Sequence, residues 1–192
     1  MRKLIYKHTL ASLLLFGITL SFAQKKYEAK AGASSVILEG KTLNGYKTAF
    51  DFNWEEVRKG WWQYARKFGT PLNMKSYYKV TIPSETTDGN IDLEIFTQSA
   101  EGAKGKTDFF LGLENEKYKD QALAMILDFK KEFYIGDLVS QIEKKQKKAD
   151  RLSDQYRDAV LETKKEELLN QLNEIEKEIE QLKAEIKSIE KS

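Results

Sequence analysis

The sequence predicts an α+β fold. A mostly antiparallel sheet in the order ββαβββα carries two helices on one face, and a C-terminal α-helical coiled-coil region follows. Three observations predict it. Up to Gly136, short alternating apolar stretches are punctuated by Gly and turn residues. Within that part, two longer segments repeat apolar residues at helical spacing. After Gly136 there is no Gly, Pro, Trp or Phe, and charged residues surround a regular Leu/Ile stripe. The expected organisation is a cleaved signal at 1–23, a flexible leader at 24–32, an α+β domain at 33–136 and a coiled-coil region at 137–191.

The first strand pair is Ser35–Leu38 and Tyr46–Phe52, with Asn44-Gly45 expected as the turn because both residues tolerate positive φ. The helix that follows has the fullest set of signals. Asn53 and Glu56 match a capping box, and Phe52 can staple onto Val57. Trp54, Val57, Trp61, Tyr64, Ala65 and Phe68 share a stripe. Gly69 and Pro71 end it. Met74–Ile82 and Ile91–Ile95 then alternate and are expected to pair around Asp88-Gly89-Asn90, with lysines on one outer face opposing carboxylates on the other. A turn at Gly102–Gly105 leads to a last strand holding Phe109, Leu111 and Leu113. A second helix is expected from about Glu116 to Ile135, with Tyr118, Ala122, Met125, Ile126, Phe129 and Phe133 on its stripe.

In the tail, Leu168, Leu172, Ile175, Ile179, Leu182, Ile186 and Ile189 step by three and four. An earlier seam, from Leu138 through Ile142, Ala149 and Leu152 to Ala159, is out of phase with it. The phase break, the matched lengths and a Thr163/Glu166 capping-box pattern favour a hairpin. The lack of Gly and Pro fits the alternative, one helix roughly 80 Å long that needs a partner chain.

Composition limits the chemistry. Arg2, Lys3 and Lys7 precede an apolar run from Leu10 to Leu20 and then Ser21-Phe22-Ala23, the pattern of a secretory signal cleaved before Gln24. The run is short of the ~20 residues a membrane span needs. The only His, His8, lies in that signal, and there is no Cys. A His-dependent triad, a thiol nucleophile and a Cys/His zinc set are therefore not expected in the mature chain. Without the first 23 residues, 29 basic residues stand against 30 acidic ones, which disfavours a nucleic-acid binder. The expectation is an exported periplasmic or secreted protein, not an enzyme, without cofactor, metal or mature transmembrane segment. Its tail would serve intramolecular packing, self-association or partner contact.

The candidate binding residues are Trp62, Arg58, Arg66 and Tyr77. Trp62 points about 100° from the Trp61 stripe, with an arginine four residues away on either side. An exposed Trp62 would give a platform for a sugar or a partner protein. Alternatively, it covers the helix flank against a strand. Tyr77, Tyr46 and Phe96 are expected on exposed sheet surface. The Asp92/Glu94 pair lies opposite lysines on a solvated face, a poor setting for acid–base chemistry. The basic run 143–151 reads as a solvated helix face.

Overall fold

The computed structural model describes residues 25–83 and 92–192. The segment expected as a signal and the Asp88-Gly89-Asn90 connection lie outside the described residues. Six strands form one antiparallel sheet: β1 (Gly32–Leu38), β2 (Lys41–Phe50), β3 (Thr70–Asn73), β4 (Tyr78–Ile82), β5 (Leu93–Glu101) and β6 (Thr107–Leu113). Their spatial order is β1-β2-β6-β5-β4-β3. Helices α1 (Trp54–Ala65) and α2 (Lys119–Asp158) cover one face, and α3 (Glu162–Glu190) packs along α2. The fold is thus α+β, with both expected domain helices on one face of the sheet.

The core follows from strand alternation. Phe50, Val80, Ile82, Leu93, Ile95, Phe109, Leu111 and Leu113 point to the helices, where Val57, Trp61, Tyr64, Ala122, Ile126 and Phe129 meet them. Phe129 lies 5.1–5.4 Å from the rings of Phe50, Trp61, Tyr64 and Phe109. Asn53 caps α1 by accepting from the Glu56 backbone N–H at 2.9 Å, as the capping pattern predicts. The other sheet face holds a smaller cluster of Leu38, Leu43, Tyr77, Phe96 and Phe110. Around it run the ion pairs Lys79–Glu94 (2.6 Å), Lys47–Asp108 (2.7 Å) and Lys41–Glu114 (2.8 Å). The first is of the expected kind, a lysine of β4 against a carboxylate of β5, and the other two were not expected from the sequence.

Several details depart from expectation. The β1–β2 turn is Glu39-Gly40, both with positive φ (51° and 78°), not Asn44-Gly45. A two-residue turn with both φ positive twists with the strands it joins, and Gly40 takes that conformation without strain. Gly45 lies inside β2 opposite Gly112, where an added Cβ would sit 2.1 Å from the Leu111 carbonyl oxygen. It marks a close backbone approach rather than a turn. A sixth strand, β3, directly follows the α1 stop and takes the edge next to β4. Pro71 is tolerated there because an edge strand has one unpaired side. The segment expected to start a strand at Met74 instead forms the β3–β4 turn.

Helix α2 does not stop near Ile135. It continues through Gly136 to Asp158, about 60 Å in all. Its first half packs on the sheet, and its second half packs only with α3 among the described residues. The chain turns at 159–161, and α3 returns beside α2: Lys145 pairs with Glu178 at 2.6 Å, and Lys131 Nζ donates to the Glu190 carbonyl at 2.7 Å. The cap of α3 is Leu161 without a side-chain bond, so the expected Thr163/Glu166 box does not start this helix. Two apolar arms facing each other hold the turn without it. Residues 25–31, expected as a leader, lie across the domain. Lys26 N–H donates to Asp51 at 2.9 Å, the Lys30 carbonyl accepts from Thr48 Oγ1 at 2.6 Å, and Lys25 pairs with Asp137.

Candidate functional site

Two features combine the candidate residues with exposed chemistry: a small pocket at the N-terminal half of α1 and the tip of the α2–α3 arm. The pocket arises because β5 is longer than its neighbour β4. Tyr78 is the first residue of β4 and pairs with Thr97. Ser99, two residues further along β5, has no β4 partner, because the chain turns away at 74–77. Trp54 and Arg58 of α1 roof the gap, Lys75, Ser76 and Tyr77 form one wall, and Glu101 stands at the β5 end. The pocket is open to solvent on one side and has a volume of about 250 Å³.

Arg58 is fixed within this pocket. Its Nη2 donates to Asn73 Oδ1 at 2.7 Å, and its guanidinium lies 5.0 Å from the Tyr78 ring centre and 6.0 Å from that of Trp54. No carboxylate pairs with it among the described residues. Asn73 Oδ1 also accepts from the Lys75 backbone N–H at 2.9 Å, and Lys75 sits at φ 72°. A lysine in the left-handed region is strained, and such strain persists only where the surroundings hold it. Thr97, 1% exposed, has a buried hydroxyl without a hydrogen-bond partner.

Of the four residues singled out from sequence, Arg58 and Tyr77 line this pocket. Trp62 lies outside it, half-buried, its ring 5.4 Å from Tyr78. Arg66 is exposed at the end of α1. Tyr77 is buried, against the expectation of an exposed ring, as is Phe96. The two rings pack 6.1 Å apart. The Tyr77 hydroxyl donates to Glu39 Oε1 at 2.6 Å and so ties the β1–β2 turn to the β3–β4 turn across β6 and β5. That bond, followed by burial, raises the Tyr77 pKa. Tyr46 is half-buried on the helix side. Sequence reasoning missed Trp54, Tyr78, Lys75 and Thr97 as pocket residues. Trp54 was assigned to the core stripe, and the other three are brought together only by strand pairing.

The seam residues divide between two environments. Leu168, Ile175 and Ile179 are buried with Leu152, and Leu172 packs on that cluster. Leu182 and Ile186 pack against the main core, and Ile189 is buried within it at 3% exposure. At the tip, by contrast, Val160 is 89% and Leu161 69% exposed, with Tyr156 and Leu169 also part-exposed. Among the described residues, no helix is long and apolar enough to cross a membrane. Compared with protein-family models, curated proteins and solved structures, the chain matches none.

Proposed function

We propose that this chain is an exported, non-enzymatic docking protein. In this reading the α+β domain is the base, and α2 and α3 form an antiparallel coiled-coil arm that contacts a partner protein at its tip. The observation that carries it is the exposure of Val160 and Leu161 at the turn, while the Leu/Ile seam is already covered within the chain. An intramolecular seam leaves little of the stripe for self-association, so contact falls to the tip. Export is supported by the basic start, apolar run and Ser21-Phe22-Ala23. The lack of enzyme activity is supported by the residue types: no Cys, and His8 alone within the signal. A sugar platform centred on Trp62 has less support, because Tyr78 packs against that ring.

A photo-crosslinking residue in place of Leu161 tests the reading in the producing cell. The expected result is one discrete adduct with another envelope protein, lost when Val160→Ser is added. The same probe at exposed Glu174 should give none. Equal labelling from both positions, or an adduct of two copies of this chain, would overturn it. Mass spectrometry of the same protein should find its start at Gln24. Retention of residues 1–23 would remove the export premise.

A further inference from the structure

We propose that the pocket between α1, the β3–β4 turn and β5 binds a sugar acid, a hydroxylated ring of monosaccharide size bearing one carboxylate. The proposal stands apart from the arm and does not need it. Arg58 is the main argument. An arginine normally meets a carboxylate through parallel N–H donors. Here the guanidinium is held by Asn73 and two aromatic rings, with donors left over and no acidic partner among the described residues. Holding the fork in place beforehand lowers the ordering cost of binding. Lys75 adds a second positive charge on the same pocket, against the single acid Glu101.

The remaining lining argues for hydroxyl groups on the ligand. Thr97 Oγ1 is buried and unpartnered, a condition that costs free energy until a donor or acceptor reaches it. Ser76 and Ser99 offer two further hydroxyls, and the Glu101 carboxylate accepts hydrogen bonds from ligand hydroxyls. Tyr78 and Trp54 supply apolar ring surface against which the C–H face of a sugar packs. The volume of about 250 Å³ is below the usual range for drug-sized ligands and suits one six-membered ring.

Amide and arginine side-chain NMR spectra of the mature chain, titrated with glucuronate, test this. The expected result is saturable shifts at Arg58 Nε, Ser76 and Thr97 with Kd below ~10 mM, a modest affinity worth about 3 kcal/mol. Glucose and sulfate should bind at least ~10-fold more weakly, since each supplies only half of the recognised chemistry. Arg58→Met should weaken binding by ~10-fold or more, whereas Arg151→Met on the arm should not. Should Arg58→Met fail to fold, Thr97→Val is the second variant; it keeps the shape, removes the hydroxyl, and should weaken glucuronate more than acetate. No saturable shift up to ~50 mM, a Kd worse than about 2 kcal/mol of affinity, would overturn the proposal. So would equal binding of sulfate or glucose, or unchanged affinity in both variants.

Discussion

Replacing Lys130 by Met should make the protein more stable at neutral pH and change nothing at pH 10. Lys130 projects from α2 into the core edge and is 4% exposed. Among the described residues its ammonium donates one hydrogen bond, to Thr48 Oγ1 at 3.0 Å, and it lies 5.7 Å from the Phe50 ring centre. Burial lowers its pKa from 10.5 to about 8. Glu28 and Asp51 oppose that shift, and Lys106 adds to it. A pKa depressed on folding means that the unfolded chain binds the proton more tightly. The charge therefore destabilises the fold fully below pH 8, and the penalty is relieved as pH rises from about 8 to 10.5. At 1.36 kcal/mol per pH unit, the penalty is about 3 kcal/mol at pH 7 and about 1 kcal/mol at pH 10. Methionine fills similar space and loses one hydrogen bond worth about 1 kcal/mol. The net expectation is a gain of about 2 kcal/mol at pH 7 that vanishes near pH 10. Urea unfolding of both proteins at the two pH values measures it. Comparing the pair cancels Tyr134, whose pKa burial pushes up to about 12 and which costs stability as pH rises. A destabilised variant at pH 7, or a difference independent of pH, would refute the reasoning.

Two further substitutions probe the backbone and the arm. Gly45→Ala places a methyl 2.1 Å from the Leu111 carbonyl oxygen. It should cost at least about 3 kcal/mol and show as loss of β2–β6 amide protection in hydrogen exchange; a cost under about 1 kcal/mol would show that the strands can part there. Leu168→Ala should cost about 2–3 kcal/mol, since Leu168 is buried between α2 and α3, whereas Leu169→Ala, on the exposed side, should stay within about 0.5 kcal/mol. Equal effects at the two positions would mean that the helices do not pack with this face inward.

Elements whose signals are local were legible in the sequence. The capped start of α1 needs only nearby residues, whereas Gly69, expected as the helix stop, lies beyond the Arg66 cap without a positive φ. The Lys79–Glu94 opposition follows from alternation alone once the two strands are paired. What the sequence did not show depends on residues far apart in the chain. Asn44-Gly45 has better turn residues than Glu39-Gly40, yet tertiary pairing with β6 places it mid-strand. Gly136 looked like a boundary, but a single helical glycine costs only about 1 kcal/mol. Packing with α3 on one side and the sheet on the other carries α2 through it. Tyr77 alternates like a surface residue and is buried because the β1–β2 hairpin reaches it across two intervening strands. The pocket was half legible: Arg58 and Tyr77 were chosen from sequence, while Thr97 and Lys75 acquire meaning only when β5 outruns β4.

The burial of Ile189 in the same core cluster as the sheet residues has a kinetic consequence. During synthesis the sheet and α2 emerge first, with an apolar strip on α2 still bare. Closure waits until residue 189 has cleared the ribosome and α3 has folded back along its full length. A protease that trims the final turn of α3 would reopen the same strip, so carboxypeptidase treatment should lower cooperativity of unfolding well before it reaches the arm's tip.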